Sequence, residues 1–307
     1  MSDVPATVPV CYRHPGRETH VRCTRCDRSI CPDCMNEASV GHQCPECVAE
    51  GRRTQRPVRT AFGGSAAGRA GVVTTTLIGL NVLAAVLGVV FSGMNALVGS
   101  GLFSGASIIH YAGAVVGPSI TVLADGNATF GALPQYGTVF PGVWDGGYYR
   151  LFTAMFIHFG ILHLLMNMWA LWILGRQLET ALGPLRFLAL YLVAGFGGNV
   201  AALLIDAESV SAGASTAIFG LFAALFVLLR RLGRDTSSVL PILIVNLVIT
   251  FVVPSISIAG HIGGLAVGGL AAAALAYAPA RNRGLIQGGA LGLIFVILAV
   301  LALTASS

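Results

Sequence analysis

A serine and a histidine in apolar surroundings are the two residues of this sequence best suited to covalent chemistry. Ser215 follows Gly213 and Ala214, and His261 begins the glycine-rich stretch His261–Gly268. A serine hydroxyl that loses its proton to a histidine base can attack a carbonyl carbon, so the pair indicates acyl-transfer chemistry. Considered separately, each residue is more typical of helix packing, the serine as a small residue and the histidine as a packing or relay group.

The surroundings of both residues favour their contact. Gly264 and Gly268 follow His261 at intervals that place them on one smooth helix face, where a neighbouring helix can approach closely. If that neighbour carries Ser215, the imidazole can reach the serine hydroxyl. The N–H groups in the first turn of the serine's helix lack intrahelical partners and can face a developing oxyanion.

His163 and Asn167 are further polar residues in an apolar stretch. They lie four residues apart, so they share one face of a helix. Both can donate hydrogen bonds to an oxyanion, although polar side chains in membranes also serve to join helices. No Asp or Glu lies within the apolar stretches near these residues. The sequence therefore predicts a Ser-His dyad in place of a Ser-His-Asp triad.

A second group of chemically active residues lies near the N-terminus. All seven cysteines fall between positions 11 and 47 in CxxC or CxxH pairs, and both the odd number and this spacing disfavour a disulfide framework. Four-fold sets of thiolate and imidazole are typical of zinc sites, and reduced thiolates indicate the cytosol. The predicted ligands of two Zn²⁺ ions are Cys11, His14, Cys23, Cys26, Cys31, Cys34, Cys44 and Cys47.

The rest of the chain must place these residues in a membrane. Of 307 residues 55% are hydrophobic and 10% charged, and the mean hydropathy is +0.79, more apolar than one soluble domain can accommodate. A helix needs about 20 apolar residues to cross a bilayer. The sequence predicts an all-α polytopic membrane protein with seven spans, near residues 72–91, 159–177, 186–205, 213–230, 238–254, 257–278 and 284–304.

Three regions follow from this reading. Residues 1–50 form the predicted zinc-binding domain, 51–70 a basic linker, and 71–305 the membrane domain. The linker is expected to lie against anionic headgroups or to be a solvated tether. Residues 92–148, rich in glycine and aromatic residues, predict an external loop with interfacial pieces, and Pro254 is the predicted turn between the fifth and sixth spans.

The arginines predict the orientation of the chain. The net charge of +5 is compatible with nucleic acid or with an anionic membrane surface. Beyond the linker, three loops with arginine lie on the same side as the N-terminus when spans are counted, and the opposite side holds only Arg150. The positive-inside rule therefore places the N-terminus in the cytosol. The sequence predicts a multi-pass protein of the cell membrane and no nucleic-acid partner.

Three motifs in this order resemble those of the rhomboid family of intramembrane serine proteases. They are HxxxxHxxxN at His158–Asn167, GxS at Gly213–Ser215 opening a later helix, and HxxGxxxG at His261–Gly268 two helices further on. The resemblance covers roughly residues 72–304. Tyr149-Arg150 is similar to the family's Trp-Arg element, with tyrosine in place of tryptophan.

The resemblance implies a rhomboid-type six-helix core plus one C-terminal helix. It implies that Ser215 and His261 form the catalytic dyad. His163 and Asn167 would then lie at the oxyanion, and His158 would have a structural role.

Thr216 departs from the family pattern, in which glycine usually follows the nucleophile. A β-branched side chain at this position is expected to narrow the pocket or crowd the oxyanion site. The residue that donates the scissile carbonyl should accordingly be small.

The N-terminal pairs resemble a B-box-type zinc-binding domain, in which alternate pairs share a metal. The resemblance implies that Cys11, His14, Cys31 and Cys34 hold one ion, and that Cys23, Cys26, Cys44 and Cys47 hold the other. A module with so few apolar residues is expected to need the metal in order to fold.

Together these features predict an intramembrane serine endopeptidase that cuts in or near the membrane segments of single-span proteins, without a catalytic cofactor. An alternative is a catalytically silent rhomboid-like protein that binds transmembrane helices for quality control. The presence of both Ser215 and His261 favours the protease. A transporter with a regulatory zinc module has less support, because the spans lack carboxylates and any evident repeat.

Overall fold

The computed structural model describes residues 8–55, 58–65, 71–98, 107–253 and 256–305. The chain divides into two compact units, Met1–Pro57 and Val58–Ser307. Residues 58–65, which the sequence assigns to the linker, therefore belong to the second unit. The predicted turn at Pro254 and the linker residues 66–70 lie outside the described residues.

The first unit is built from short elements around its cysteines. They are a 3₁₀ turn at Pro32–Cys34, the antiparallel strands β1 (Asn36–Glu37) and β2 (His42–Gln43), and the helix α1 (Pro45–Thr54). Pro45 suits the first helical position because that position has no intrahelical use for an N–H. The Sγ of Cys44 accepts the Cys47 N–H and caps the helix. Apart from Ile30, the buried core consists of cysteines.

The second unit is predominantly helical. Its helices are α2 (Val72–Ser92), α3 (Ile108–Gly113), α4 (Arg150–Thr153), α5 (Ile161–Leu182), α6 (Pro184–Ile205), α7 (Ser215–Arg231), α8 (Val239–Val252), α9 (Ile258–Tyr277) and α10 (Arg283–Thr304). The helices α2 and α5 to α10 coincide in order with the seven predicted spans. Single 3₁₀ turns occur at Met94–Ala96, Val143–Asp145 and Ala154–Phe156.

Not every predicted span is long enough to cross a bilayer unaided. Among the described residues, α2, α6, α9 and α10 are long and apolar enough to cross. The segment Arg150–Phe156 together with α5 forms a further candidate that is bent by 91°. The helices α7 and α8 have 17 and 14 residues. At 1.5 Å per residue they extend about 25 and 21 Å, against about 30 Å of hydrocarbon.

The segment between α3 and α4 contains a small sheet that the all-α prediction did not include. The central strand β3 (Ile120–Leu123) pairs antiparallel with β4 (Ala128–Phe130) on one side and with β5 (Gly137–Phe140) on the other. The β-branched residues at 120–122 suit a strand, and Asp125-Gly126 supplies the turn into β4. Each run is too short to produce a clear periodicity in the sequence.

The helix α7 packs closely against α9, with α5 and α6 at its other sides. A methyl group on Gly264 would lie 1.9 Å from the backbone oxygen of Thr216, and one on Gly268 would lie 2.2 Å from the Cα of Gly220. Only glycine permits this approach. The smooth face predicted for the helix of His261 therefore packs directly on the helix that begins at Ser215.

Candidate active site

The backbone before Ser215 is fixed by two hydrogen bonds. Gly213 has φ +142°, a value that residues with a Cβ rarely adopt, and its N–H donates to the Ala154 oxygen at 2.9 Å. The next N–H, of Ala214, donates to Nε2 of His158 at 3.3 Å. His158 thus holds the chain one residue before Ser215, which begins α7.

His261 contacts Ser215 and two further side chains. Its Nε2 lies 2.8 Å from Ser215 Oγ, and its ring stacks on Phe219 with the centroids 4.1 Å apart. Its Nδ1 lies 2.7 Å from Thr250 Oγ1. The imidazole is buried, so these contacts determine its orientation. The fold brings together the two residues whose contact the sequence predicted.

Thr250 is the residue of this site that the sequence analysis missed. Its hydroxyl proton is donated within α8 to the Asn246 oxygen at 2.8 Å, so its Oγ1 accepts from His261 Nδ1–H. The hydrogen-bond network thereby assigns the tautomer with a free lone pair on Nε2, facing Ser215. Thr250 is the only hydroxyl-bearing residue of α8. The sequence of α8 alone does not indicate which residue of another helix this hydroxyl contacts, so the contact with His261 could not be predicted.

The space beside Gly213 is bordered by the serine hydroxyl and by His163. A methyl group on Gly213 would lie 3.0 Å from His163 Nε2 and 3.2 Å from Ser215 Oγ. An oxyanion in this space would lie between the nucleophile and a ring nitrogen of His163, which can act as a hydrogen-bond donor. Asn167 donates its amide to the His163 backbone oxygen at 2.9 Å, so it is joined to the site through His163.

Thr216 lies away from this space, contrary to expectation. A methyl group on Gly198 of α6 would lie 2.7 Å from Thr216 Cβ, and one on Gly260 of α9 would lie 3.1 Å from Thr216 Cγ2. The threonine therefore fills the contact between α6 and α9. Successive helix residues point about 100° apart, so a residue next to Ser215 does not share its direction. The prediction that Thr216 narrows the pocket is therefore wrong, because its side chain packs between α6 and α9.

Arg150 and His110 hold the segment before α5 in place. Arg150 is fully buried and donates to the backbone oxygens of Tyr111, Ala114 and Pro141, each at 2.7 Å. His110, which the sequence analysis did not identify, has Nε2 2.8 Å from the His158 backbone oxygen. Both residues thus stabilise the segment from which His158 accepts the Ala214 N–H.

The first unit contains two groups of four metal-binding side chains. In each group the ligand atoms all lie within 4.8 Å of one another, and the groups are Cys11, His14, Cys31 and Cys34, and Cys23, Cys26, Cys44 and Cys47. These are the pairings that the B-box resemblance implies. Both groups are able to hold a metal ion.

The spacing of the ligand atoms fits zinc. With Zn–S bonds of about 2.3 Å and Zn–N bonds of about 2.0 Å, a tetrahedron separates two sulfurs by about 3.8 Å and sulfur from nitrogen by about 3.5 Å. Cys26 Sγ and Cys44 Sγ are 3.7 Å apart. His14 Nδ1 lies 3.3 Å from Cys31 Sγ and 3.4 Å from Cys34 Sγ.

The electrostatics of these groups also favour a cation. In the metal-free protein, burial and the neighbouring thiols of Cys11 and Cys31 raise the pKa of Cys34 to about 11. Thiols packed this closely resist losing protons together, because each thiolate repels the next. A divalent cation removes that repulsion.

The half-buried Ser215 lies against the buried His261 within a bundle of apolar helices, an arrangement that defines a polytopic helical membrane protein. Residues 145–278 match the family model described as the Rhomboid domain. The matched region contains all three motifs and confirms the resemblance to the rhomboid family that they predict.

Curated relatives agree with this assignment. The chain is 40% identical over 156 residues to Rhomboid protease GluP of Bacillus subtilis, covering 48% of this chain and 28% of that protein. It is 38% identical over 127 residues to RHOMBOID-like protein 6, mitochondrial, of Arabidopsis thaliana (39% and 41%). It is 35% identical over 130 residues to Putative rhomboid protease YdcA of Bacillus subtilis (40% and 65%). The matched region spans less than two thirds of the length of each of these relatives.

Proposed function

We propose that this protein is an intramembrane serine endopeptidase that uses Ser215 as nucleophile and His261 as general base. The observation that carries the proposal is the 2.8 Å contact between His261 Nε2 and Ser215 Oγ. That contact becomes productive because Thr250 holds the proton on Nδ1. Nε2 then has a free lone pair, which accepts the serine proton as Oγ attacks the scissile carbonyl carbon.

The remaining steps would use His163, which lies beside the same space, together with Asn167 and the Ser215 amide. Attack converts the carbonyl to a tetrahedral oxyanion, which the Ser215 amide, His163 and Asn167 would stabilise by hydrogen bonds. The imidazolium returns its proton to the leaving amine as the C–N bond breaks, leaving an acyl group on Oγ. A water molecule, activated by the same imidazole, then hydrolyses the ester and regenerates the serine.

The short length of α7 supports a site below the membrane surface. Arg230 and Arg231 end this helix and suit the cytosolic interface. For a helix along the bilayer normal, Ser215 would lie about 24 Å from them, which is a few ångströms short of the opposite surface. With the N-terminus in the cytosol, that surface is the external one.

This location indicates the class of substrate. A peptide bond in a stable helix has its carbonyl hydrogen-bonded, so the substrate must unwind before attack. Glycine and proline weaken a helix by about 1 and 3 kcal/mol relative to alanine. We infer that the substrates are single-span membrane proteins with such residues near the external end of their membrane segment.

We also infer that the two Cys/His groups bind Zn²⁺ and that the metal has a structural role. Each group offers four protein ligands, which completes a tetrahedral shell. A catalytic zinc site would need an open position.

Fluorophosphonate labelling of the purified full chain tests the proposed mechanism, because only an activated serine reacts rapidly with this probe. The wild-type protein should be labelled, Ser215→Ala should not, and His261→Ala should react far more slowly. Ser209→Ala, at an exposed serine before the same helix, is the matched control and should be labelled normally. Labelling of Ser215→Ala would contradict the proposal. Absence of labelling in the wild type would favour a silent helix-binding protein.

A further inference from the structure

Three arginines converge at the end of the bundle where α6 and α10 begin. Arg186 lies in the first turn of α6, Arg283 begins α10, and Arg59 lies in the segment 58–65. A methyl group on Gly63 would lie 3.7 Å from Arg283 Nη1 and 3.8 Å from Arg186 Nη2, so two guanidinium groups flank one spot. Arg59 and Arg283 are the charged groups that act electrostatically on Arg186.

Hydrogen bonds hold these arginines in place. They join Arg59 Nη1 to the Gly63 oxygen at 3.2 Å, Arg283 Nη1 to the Ala61 oxygen at 3.1 Å, and Arg186 Nε to Gln287 Oε1 at 2.7 Å. Gln287 is itself buried and donates to the oxygens of Phe62 and Leu275. A guanidinium group has five N–H donors. The array is therefore preorganised and retains donors for a ligand.

The described carboxylates do not neutralise this cluster. All ion pairs among the described residues lie in the first unit. Glu179, seven residues before Arg186, is buried and accepts hydrogen bonds from the N–H groups of Val73 and Thr74. Its carboxylate is therefore paired with the N-terminus of α2 and not with the arginines. The N-termini of α6 and α10 have no side-chain caps and add partial positive charge. Like charges at this separation repel, and an anion between them would reverse the sign of the interaction.

The surface beside the cluster is strongly apolar. Leu185, next to Arg186, is 79% exposed, and Leu285, two residues after Arg283, is 78% exposed. A free inorganic anion has no apolar part that could pack against these leucines. A ligand with a phosphate group and hydrocarbon chains would contact both features.

We propose that Arg59, Arg186 and Arg283 form a binding site for the phosphate of an anionic phospholipid, whose acyl chains pack on Leu185 and Leu285. Arginine suits this ligand because its planar group donates two parallel hydrogen bonds to phosphate oxygens. The site uses none of the residues assigned to peptide hydrolysis, so it can be tested whether or not the protein is a protease. Lipid bound here would join the segment 58–65 to α6 and α10.

Lipid binding to the purified full chain in detergent tests this site. Native mass spectrometry and thermal unfolding would be followed with dioleoyl phosphatidylglycerol, with dioleoyl phosphatidylcholine and with inorganic phosphate. We expect the wild type to retain phosphatidylglycerol and to unfold at a higher temperature in its presence, with little effect of the other two. Arg186→Gln and Arg283→Gln should each weaken retention about tenfold, as expected for the loss of a charged hydrogen bond.

Arg234→Gln is the matched control, because it removes the same charge from an exposed loop outside the cluster. It should leave retention unchanged. Equal losses in Arg234→Gln and Arg186→Gln would show general charge attraction and overturn the proposal. Equal stabilisation by inorganic phosphate would also overturn it, because the site would then take a free anion. Circular dichroism of each variant checks that the fold is intact.

Discussion

The two units of this protein relate their functional residues to their folds in opposite ways. In the first unit the metal-binding side chains are also the core, because among residues 8–55 Ile30 is the only buried apolar residue besides cysteines. In the second unit the core is a large apolar cluster, and Ser215 and His261 lie at one edge of the α7–α9 contact. Removing the functional residues should therefore unfold the first unit and leave the second folded.

The largest effect on activity is expected from the dyad. Ser215→Ala and His261→Ala should each abolish cleavage of a model single-span substrate, and the double variant should be no worse than either. Residues that act as one unit are strongly non-additive. Rates in reconstituted vesicles and melting temperatures would be measured together. Unfolding of either variant would break the contrast between the units, and undiminished cleavage by Ser215→Ala would rule out the mechanism.

Metal removal should have the opposite outcome. The full chain should contain about two Zn²⁺, as eight ligands in two tetrahedral sets require. A chelator should render residues 8–55 susceptible to protease while the helices of the second unit persist. His14→Ala should lose about one ion, whereas His20→Ala, outside both groups, should keep both. Elemental analysis and limited proteolysis measure these outcomes. A metal content near zero in gently purified protein would contradict the zinc assignment.

The oxyanion site should affect the rate without affecting the fold. His163→Ala should reduce kcat about 10²–10³-fold, the usual cost of removing one oxyanion donor. Gly213→Ala should be comparably damaging, because its methyl group would occupy the space between His163 and Ser215. Steady-state kinetics would show a fall in kcat with little change in KM. A rise in KM alone would indicate that this space binds substrate in its ground state.

Thr250 should have a smaller effect, which tests whether it is a positioning residue. Thr250→Val keeps the shape but removes the acceptor of His261 Nδ1–H, and a buried hydrogen bond of this kind corresponds to about a tenfold loss in kcat. Thr250→Ser keeps the hydroxyl and should retain most of the activity. Equal rates in both variants would show that Thr250 only fills space.

The smallest effect should come from Glu179, which concerns the fold alone. Its carboxylate accepts from the Val73 and Thr74 N–H groups at 2.9 Å and so caps α2. Glu179→Gln should cost about 1–2 kcal/mol of stability, seen as a lower melting temperature with unchanged kcat at low temperature. Glu208→Gln, at an exposed loop position, should have no such effect. A loss of kcat without a loss of stability would contradict the assignment.

The sequence alone was sufficient to identify the candidate functional residues that are recognisable by their type and spacing. His14 and the cysteines form pairs at zinc-ligand intervals, and Ser215 and His261 are conspicuous because polar groups are costly among apolar ones. The positions of the seven helices were predictable for the same reason, because long apolar stretches indicate membrane helices, although α7 and α8 have only 17 and 14 residues.

Only the tertiary structure decided which of these residues are neighbours and which way they point. Thr250 and His261 lie on different helices, and the sequence of α8 does not show that Thr250 contacts His261. Thr216 adjoins Ser215 in sequence, yet the helix turns it by about 100° into the α6–α9 contact. Arg59, Arg186 and Arg283 are far apart in the chain and converge only because α6 and α10 begin at one end of the bundle. Local propensity depends on residues a few positions apart, whereas sites depend on packing between distant segments, which is fixed only when the whole core forms.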